Sequence, residues 1–128
     1  MNIFRRGRSV PGRVTVREAA ARTGHGSAEA GADAVLLDVR EAHEWRAGHA
    51  PRAVHLPLPA LAAGAGLPAD AQARPLVVIC RSGNRSRQAA ELLAARGAEA
   101  ADVIGGMGEW AGAGLPVVDS HGRNGTVT

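Results

Sequence analysis

Cys80 is the only cysteine in this chain of 128 residues, and its neighbours are those a reactive thiol needs. It follows the apolar run Leu76-Val77-Val78-Ile79 and opens the loop Cys80-Arg81-Ser82-Gly83-Asn84-Arg85-Ser86. The thiolate is the nucleophilic form. Backbone N–H groups, a helix N-terminus and arginines favour it, lowering a cysteine pKa from about 8.5 to roughly 3.5–7.5. The alternative is a structural thiol acting as a small core hydrophobe. Two arginines, a glycine, an asparagine and two serines within six positions do not make an ordinary end to a core strand. The composition of the loop therefore marks Cys80 as a candidate nucleophile.

The flanking segments must position that loop. Leu76–Ile79 reads as a strand, and Arg87-Gln88-Ala89-Ala90-Glu91-Leu92-Leu93-Ala94-Ala95-Arg96-Gly97 as a helix ended by glycine. Between them the backbone must curl so that successive N–H groups converge into an anion-binding nest. Gly83 supplies the permissive conformation, and a helix beginning near Arg85 or Ser86 adds its positive end.

Elsewhere Thr15-Val16-Arg17-Glu18 matches a capping box, predicting a short helix to about Arg22. Residues 34–39 predict a buried strand, Glu41 to Ala47 a short helix stopped at Gly48, and residues 53–56 a second strand bounded by prolines. Residues 59–63 read as helical and 64–73 as a loop. A last strand is expected over 100–104, broken by Gly105-Gly106 before a helical turn around Glu109-Trp110. Strands alternating with helices imply an α/β fold with a central, mostly parallel sheet and helices on both faces. Ligands of such sheets bind beyond the carboxyl ends of the strands, where Cys80 lies, as do Asp38 and Arg40.

Composition bounds the rest. The length suits one domain: an arm over residues 1–12, the domain proper over 13–118 and a polar tail over 119–128. Alanine occurs 27 times and aromatics are confined to Phe4, Trp45 and Trp110, so helices must pack closely on a Val/Leu sheet. All fifteen basic residues are arginine, and five of them precede the first acid, Glu18. With no aromatic interleaving or nucleic-acid motif, that segment reads as a solvated, flexible arm rather than a nucleic-acid contact. A single cysteine excludes an intrachain disulfide framework. No apolar stretch approaches the roughly 20 residues of a membrane span, and none follows the arginines as a secretory leader requires, so a soluble cytoplasmic protein with no membrane partner is expected. His25, His43, His55 and His121 show no spacing that argues for a metal site.

Taken together, Leu37-Asp38-Val39-Arg40-Glu41, Glu44-Trp45, Gly48-His49, the Cys80–Ser86 loop, Gly105-Gly106-Met107-Gly108-Glu109-Trp110 and Gly114-Leu115-Pro116-Val117 resemble the single-domain rhodaneses, a sulfurtransferase family. The resemblance implies covalent catalysis without a cofactor. Cys80 thiolate would take a sulfur from a small anionic donor such as thiosulfate, and cyanide, a thiol or a protein acceptor would remove it. It also implies that the backbone of residues 81–86 cradles the persulfide, with Arg81 and Arg85 attracting the donor. The related dual-specificity phosphatases place five residues between cysteine and arginine, whereas four separate Cys80 from Arg85. The tighter loop suits one sulfur atom and argues against phosphatase or arsenate-reductase chemistry. A non-enzymatic sulfur-relay or partner-binding module is the other alternative.

Asp38, Arg40 and Glu44 are expected to support the site from behind. Arg40 and Glu44, four apart, are expected to pair along a helical turn, and Asp38 to bond nearby backbone. His49 is expected to pack and hydrogen-bond rather than act as a base, and Trp45 and Trp110 to anchor their helices on the core. One departure from the family pattern is Arg52, which stands where these rhodaneses usually carry glycine in a turn.

Overall fold

The computed structural model of the protein describes residues 11–26 and 32–128; the arginine-rich opening, residues 1–10, lies outside them. Its elements, in chain order, are β1 (Gly12–Val14), α1 (Val16–Arg22), β2 (Val35–Asp38), α2 (Ala42–Ala47), β3 (Val54–His55), α3 (Leu58–Ala62), β4 (Leu76–Ile79), α4 (Asn84–Ala95), β5 (Ala100–Val103) and α5 (Gly106–Gly112), with one 3-10 turn at Ala69–Ala71. The strands form one sheet in the order β1-β5-β4-β2-β3, and every pairing is parallel.

Alternation along the strands divides the core. Val35, Leu37 and Val39 of the β2 segment and Leu76, Val78 and Cys80 of the β4 segment pack with Ala89, Ala90 and Leu93 of α4 and Leu61 of α3. Leu36, Val77, Ile79 and Val103 point the other way, against Val16, Ala19 and Ala20 of α1 and Met107 and Trp110 of α5. Side chains of period two facing two helical layers explain why β4 and the start of β2 are continuous apolar runs. The alanines of α1 and α4 let those helices approach closely.

β4 lies at the centre. The chain leaves β2 toward β3 on one side and leaves β4 toward β5 on the other. The loops after β2 and β4 therefore diverge, and the crevice between them is where sheets of this kind hold ligands.

Thr15 caps α1 as its motif predicts: Oγ1 accepts from Glu18 N (3.1 Å), and Thr15 N donates to Glu18 (2.8 Å). The short edge strand β1 has no sequence signal of its own, but it docks on β5 with Arg13 opposite Asp102. The tail also has structure. Val118 pairs with both His49 and Asn124, and Thr126 N donates to Ala47 O (2.9 Å). Among the described residues no helix is long and apolar enough to cross a membrane.

Arg52 meets the loop after α1 rather than the Cys80 loop. Its guanidinium reaches Gly24 O (3.4 Å), and its backbone N–H donates to His25 Nε2 (2.9 Å). Thr23 Oγ1 donates to Ala19 O and so accepts from His25 Nδ1–H (2.8 Å), which leaves Nε2 unprotonated. Burial, aided by the Arg52 charge, pushes the His25 pKa down from 6.5 to about 4. The unfolded chain takes up this proton at higher pH than the folded one, so the contribution is complete above the unfolded pKa and lost as pH falls toward the folded value. Urea unfolding should show a loss on the order of 2 kcal/mol between about pH 7 and about pH 4.5, which His25→Phe should largely remove. An equal loss in that variant would assign the pH dependence to other groups.

Candidate active site

Cys80 leaves the end of β4 at the floor of its loop, 1 % exposed. Gly83, with φ at +114°, turns the chain into α4 through a conformation that side chains resist. The helix begins at Asn84, one or two residues earlier than the sequence predicts, because Gly83 itself serves as its N-cap. Its first turn is thereby aimed at the sulfur, and free N–H groups that a helix start leaves without partners find an acceptor there. Gly83 N donates to Cys80 Sγ at 3.1 Å, and Ser86 Oγ lies 3.4 Å from Sγ. Burial pushes the thiol pKa up. Hydrogen bonds from the Ser86 side chain and from the backbone N–H groups of Ser86, Gly83 and Ser82 outweigh it, and the pKa falls below the ordinary thiol value.

The back of the loop is held by α5. Met107 N donates to Cys80 O (2.7 Å) and Gly108 N to Arg81 O (3.0 Å). Gly106 makes this possible: its φ is +59°, and a Cβ there would lie against Cys80 O and 2.7 Å from the Arg81 carbonyl carbon. The Gly105-Gly106 pair thus seats one loop on another. Gly106→Ala should cost about 2 kcal/mol and slow Cys80 alkylation, because relieving the clash must move the loop. Thermal melts and alkylation rates measured together check this, and an unchanged alkylation rate would separate α5 from the cradle.

Arg85 is not a free guanidinium. Its Nη1 and Nη2 donate to the two Glu44 oxygens at 2.7 and 3.0 Å, and Glu44 also accepts from Glu41 N (2.9 Å). The Arg85 hydrogen bond is the main cause holding the Glu44 pKa down to about 2. Three guanidinium N–H groups remain for an anion. Arg81, Ser82 and Asn84 are exposed, and Arg81 Nε donates to Thr128 O (2.6 Å).

The expected pairing of Arg40 with Glu44 does not form. Arg40 precedes the helix, whose N-cap is Glu41, so the four-residue spacing does not place the two side chains on one helical face. Arg40 instead folds back on Asp38, with Nε at 2.9 Å and Nη2 at 2.8 Å from the carboxylate, and Nη2 also reaches Gly48 O at 2.7 Å. Asp38 bonds nearby backbone as expected, accepting from Arg40 N (3.1 Å). Both side chains are fully buried, a brace between the β2 loop and the turn at Gly48.

His49 donates Nδ1–H to Trp45 O (2.7 Å) and stacks on the Trp45 ring at 3.7 Å. His55 stacks on Trp45 at 4.8 Å and donates to Arg40 O (2.8 Å). Trp45 therefore lies half-buried, stacked with two imidazoles, rather than in the core. Trp110 is fully buried, with its Nε1–H on Pro116 O (2.9 Å).

Sequence reasoning missed Asp102 and Arg13. Asp102, on β5 and 2 % exposed, accepts from Arg13 Nε and Nη2 at 3.0 and 3.1 Å and lies 3.5 Å from Ser86 Oγ. The available signal was an acid in the middle of the run 100–104, where a buried strand otherwise carries apolar residues. Among the described residues no group of three or more His, Cys, Asp or Glu side chains is placed to hold a metal ion.

Residues 16–113 match the family model of the rhodanese-like domain. The chain is 40% identical over 81 residues to the thiosulfate sulfurtransferase GlpE of Pseudomonas savastanoi pv. phaseolicola, an alignment covering 60% of this chain and 72% of that protein. It is 38% identical over 89 residues to the adenylyltransferase and sulfurtransferase MOCS3-2 of Zea mays; this covers 65% of the chain but only 18% of the maize protein. The chain thus spans under a fifth of the length of the maize relative. A rhodanese-related protein of Thermoplasma volcanium shares the fold, with a TM-score of 0.68 at 26% identity over 84% of this chain and 97% of that one.

Proposed function

The chain belongs to the rhodanese-like domain family, and from that premise we propose that it is a sulfurtransferase carrying sulfur as a persulfide on Cys80. The observation that carries this reading is the sulfur atom itself, which accepts from Gly83 N–H at 3.1 Å and has the Ser86 hydroxyl 3.4 Å away at the start of α4. Such a cradle stabilises an anionic sulfur, whether thiolate or persulfide.

In the first half-reaction Cys80 thiolate attacks the outer sulfur of thiosulfate. A new S–S bond forms, the old one breaks, and sulfite leaves with the electron pair. In the second, cyanide or a thiolate attacks the terminal sulfur, and Cys80 departs as the thiolate it began as. No proton needs to be abstracted in either half-reaction if the thiolate is already present. The backbone amides hold the charge throughout, which is electrostatic stabilisation by groups that need not reorganise. The remaining N–H groups of Arg85 orient the dianionic donor, and Glu44 fixes the plane of that guanidinium.

Thiocyanate formation from thiosulfate and cyanide tests the reading. Arg85→Ala should lower kcat/KM for thiosulfate by about tenfold or more, mainly through KM, since it removes the charge-assisted contacts to the donor. It also leaves Glu44 unpaired. The paired variant Arg85→Gln with Glu44→Gln should therefore show the KM effect with less loss of stability. A KM unchanged in both would remove Arg85 from donor binding.

A second reading, sulfur relay between proteins, draws support from the maize relative, whose name couples sulfurtransferase to adenylyltransferase activity within a much longer chain. Under it, Cys80 accepts sulfur from a protein persulfide and gives it to a protein thiol. No thiocyanate from thiosulfate, together with loading from a persulfidated protein, would favour relay.

A further inference from the structure

We propose that Asp102 is a positioning residue for Cys80: it draws the Ser86 hydroxyl away from the sulfur while Cys80 is a thiol and gives it up when the sulfur becomes anionic. The inference rests on Cys80 being the reacting group, and it adds a control over its proton that the cradle amides do not provide.

Ser86 Oγ, fully buried, lies 3.4 Å from Cys80 Sγ and 3.5 Å from Asp102 Oδ2. A hydroxyl has one proton to donate and stands here between two acceptors. For sulfur, with its larger radius, 3.4 Å is an ordinary hydrogen-bond length. For two oxygens 3.5 Å is stretched, so the bond to Asp102 is the one that yields. With Cys80 as a thiol, its S–H donates to Ser86 Oγ and the hydroxyl donates to Asp102. When the thiol proton leaves to solvent, the hydroxyl swings to the thiolate, and Asp102 retains its two bonds from Arg13.

The register keeps the carboxylate in place. Asp102 pairs with Val78 of β4 on one side and with Arg13 of β1 on the other, so its backbone is fixed from both neighbours. A Cβ on Gly83 would lie 3.5 Å from Arg13 Nη2, which places the ion pair beneath the cradle. The charged groups on the segments that build and flank the Cys80 loop are Arg85 from α4, Glu44 from α2, Asp102 from β5, Arg13 from β1, Arg81 from the loop, the exposed Glu109 from α5 and the Asp38–Arg40 pair from the β2 segment. Of these, Glu44, Asp102 and Asp38 are each held by an arginine, and Asp102 alone also reaches Ser86. Asp102 thus opposes the thiolate in two ways: it competes for the hydroxyl proton, and it carries a like charge that Arg13 only balances.

The pH dependence of Cys80 alkylation by iodoacetamide tests this, and because alkylation needs no sulfur donor, its outcome is independent of whether thiosulfate is a substrate. The midpoint in Asp102→Asn should fall by about half a unit to one unit, the change expected when an anionic sulfur gains undivided use of one hydrogen bond. Asp102→Val, a good fit for a buried strand, should shift it in the same direction and serves if the asparagine variant does not fold. Ser86→Ala should raise the midpoint, and in that background Asp102→Asn should produce less than half of its original shift. An unmoved or raised midpoint in the folded Asp102 variants overturns the proposal. So does a full shift without Ser86, which would reduce Asp102 to a distant charge, or failure of both variants to fold, which would make it a structural partner of Arg13 alone.

Discussion

Cys80→Ser is expected to reduce sulfur transfer to background, a loss of at least about four orders of magnitude, while leaving stability within about 1 kcal/mol of the parent. The two halves of this expectation have different causes. Serine keeps an acceptor where Gly83 N–H donates, so the loop and the start of α4 lose no partner. A serine hydroxyl, however, remains protonated and has little affinity for sulfane sulfur, so no S–S bond forms and neither half-reaction begins. Cys80→Ala is the weaker test, because it leaves the cradle N–H groups facing an empty site and mixes a structural loss with the chemical one. Steady-state thiocyanate formation and a thermal melt on the same preparation separate the two effects. Residual transfer near parental levels would mean that another group carries the sulfur.

The second large effect is on stability. Asp38 and Arg40 are an ion pair with no exposed surface on either side chain. Removing one charge leaves the other buried without compensation, which costs about 3–5 kcal/mol, whereas replacing both with apolar residues of similar volume is often close to neutral. Arg40→Met should therefore destabilise by about that amount, and adding Asp38→Leu should recover much of it. Urea titrations of the two single variants and the double variant give the comparison. The recovery will be incomplete if the bond from Arg40 to Gly48 O matters in its own right. Equal, small losses in all three variants would contradict the account of this pair as a brace between the β2 loop and the Gly48 turn.

Much of this was legible from residue order, for identifiable reasons. β4 and the first three residues of β2 are apolar runs because both of their faces are covered, and their lengths distinguish them from helices. The capping box at Thr15 and the glycine after α4 depend on local backbone chemistry, which short sequence carries in full. Cys80 and the loop to Ser86 could be singled out because strand, turn and helix start are all local. What could not be read were pairings that only the sheet creates. β1 has three residues and owes its existence to β5, and Arg13 meets Asp102 across 89 positions. Glu44 reaches Arg85 across 41 positions, so the nearer Arg40 was the natural but mistaken partner. The apolar area of Trp45 points to the core, whereas in the fold its ring stacks with His49 and His55, a contact set by the turn after α2 and by β3 rather than by apolar area. The tail reads as polar and turn-rich, and its return to Ala47 and His49 is likewise a long-range match of backbone groups.

Intact-protein mass spectrometry of the chain after thiosulfate and then cyanide shows whether Cys80 carries sulfur. The expected result is a gain of one sulfur atom after thiosulfate, its removal by cyanide with formation of thiocyanate, and no gain in Cys80→Ser. A sulfur adduct that persists in Cys80→Ser, or a Cys80 that takes up no sulfur from either thiosulfate or a protein persulfide, would contradict it.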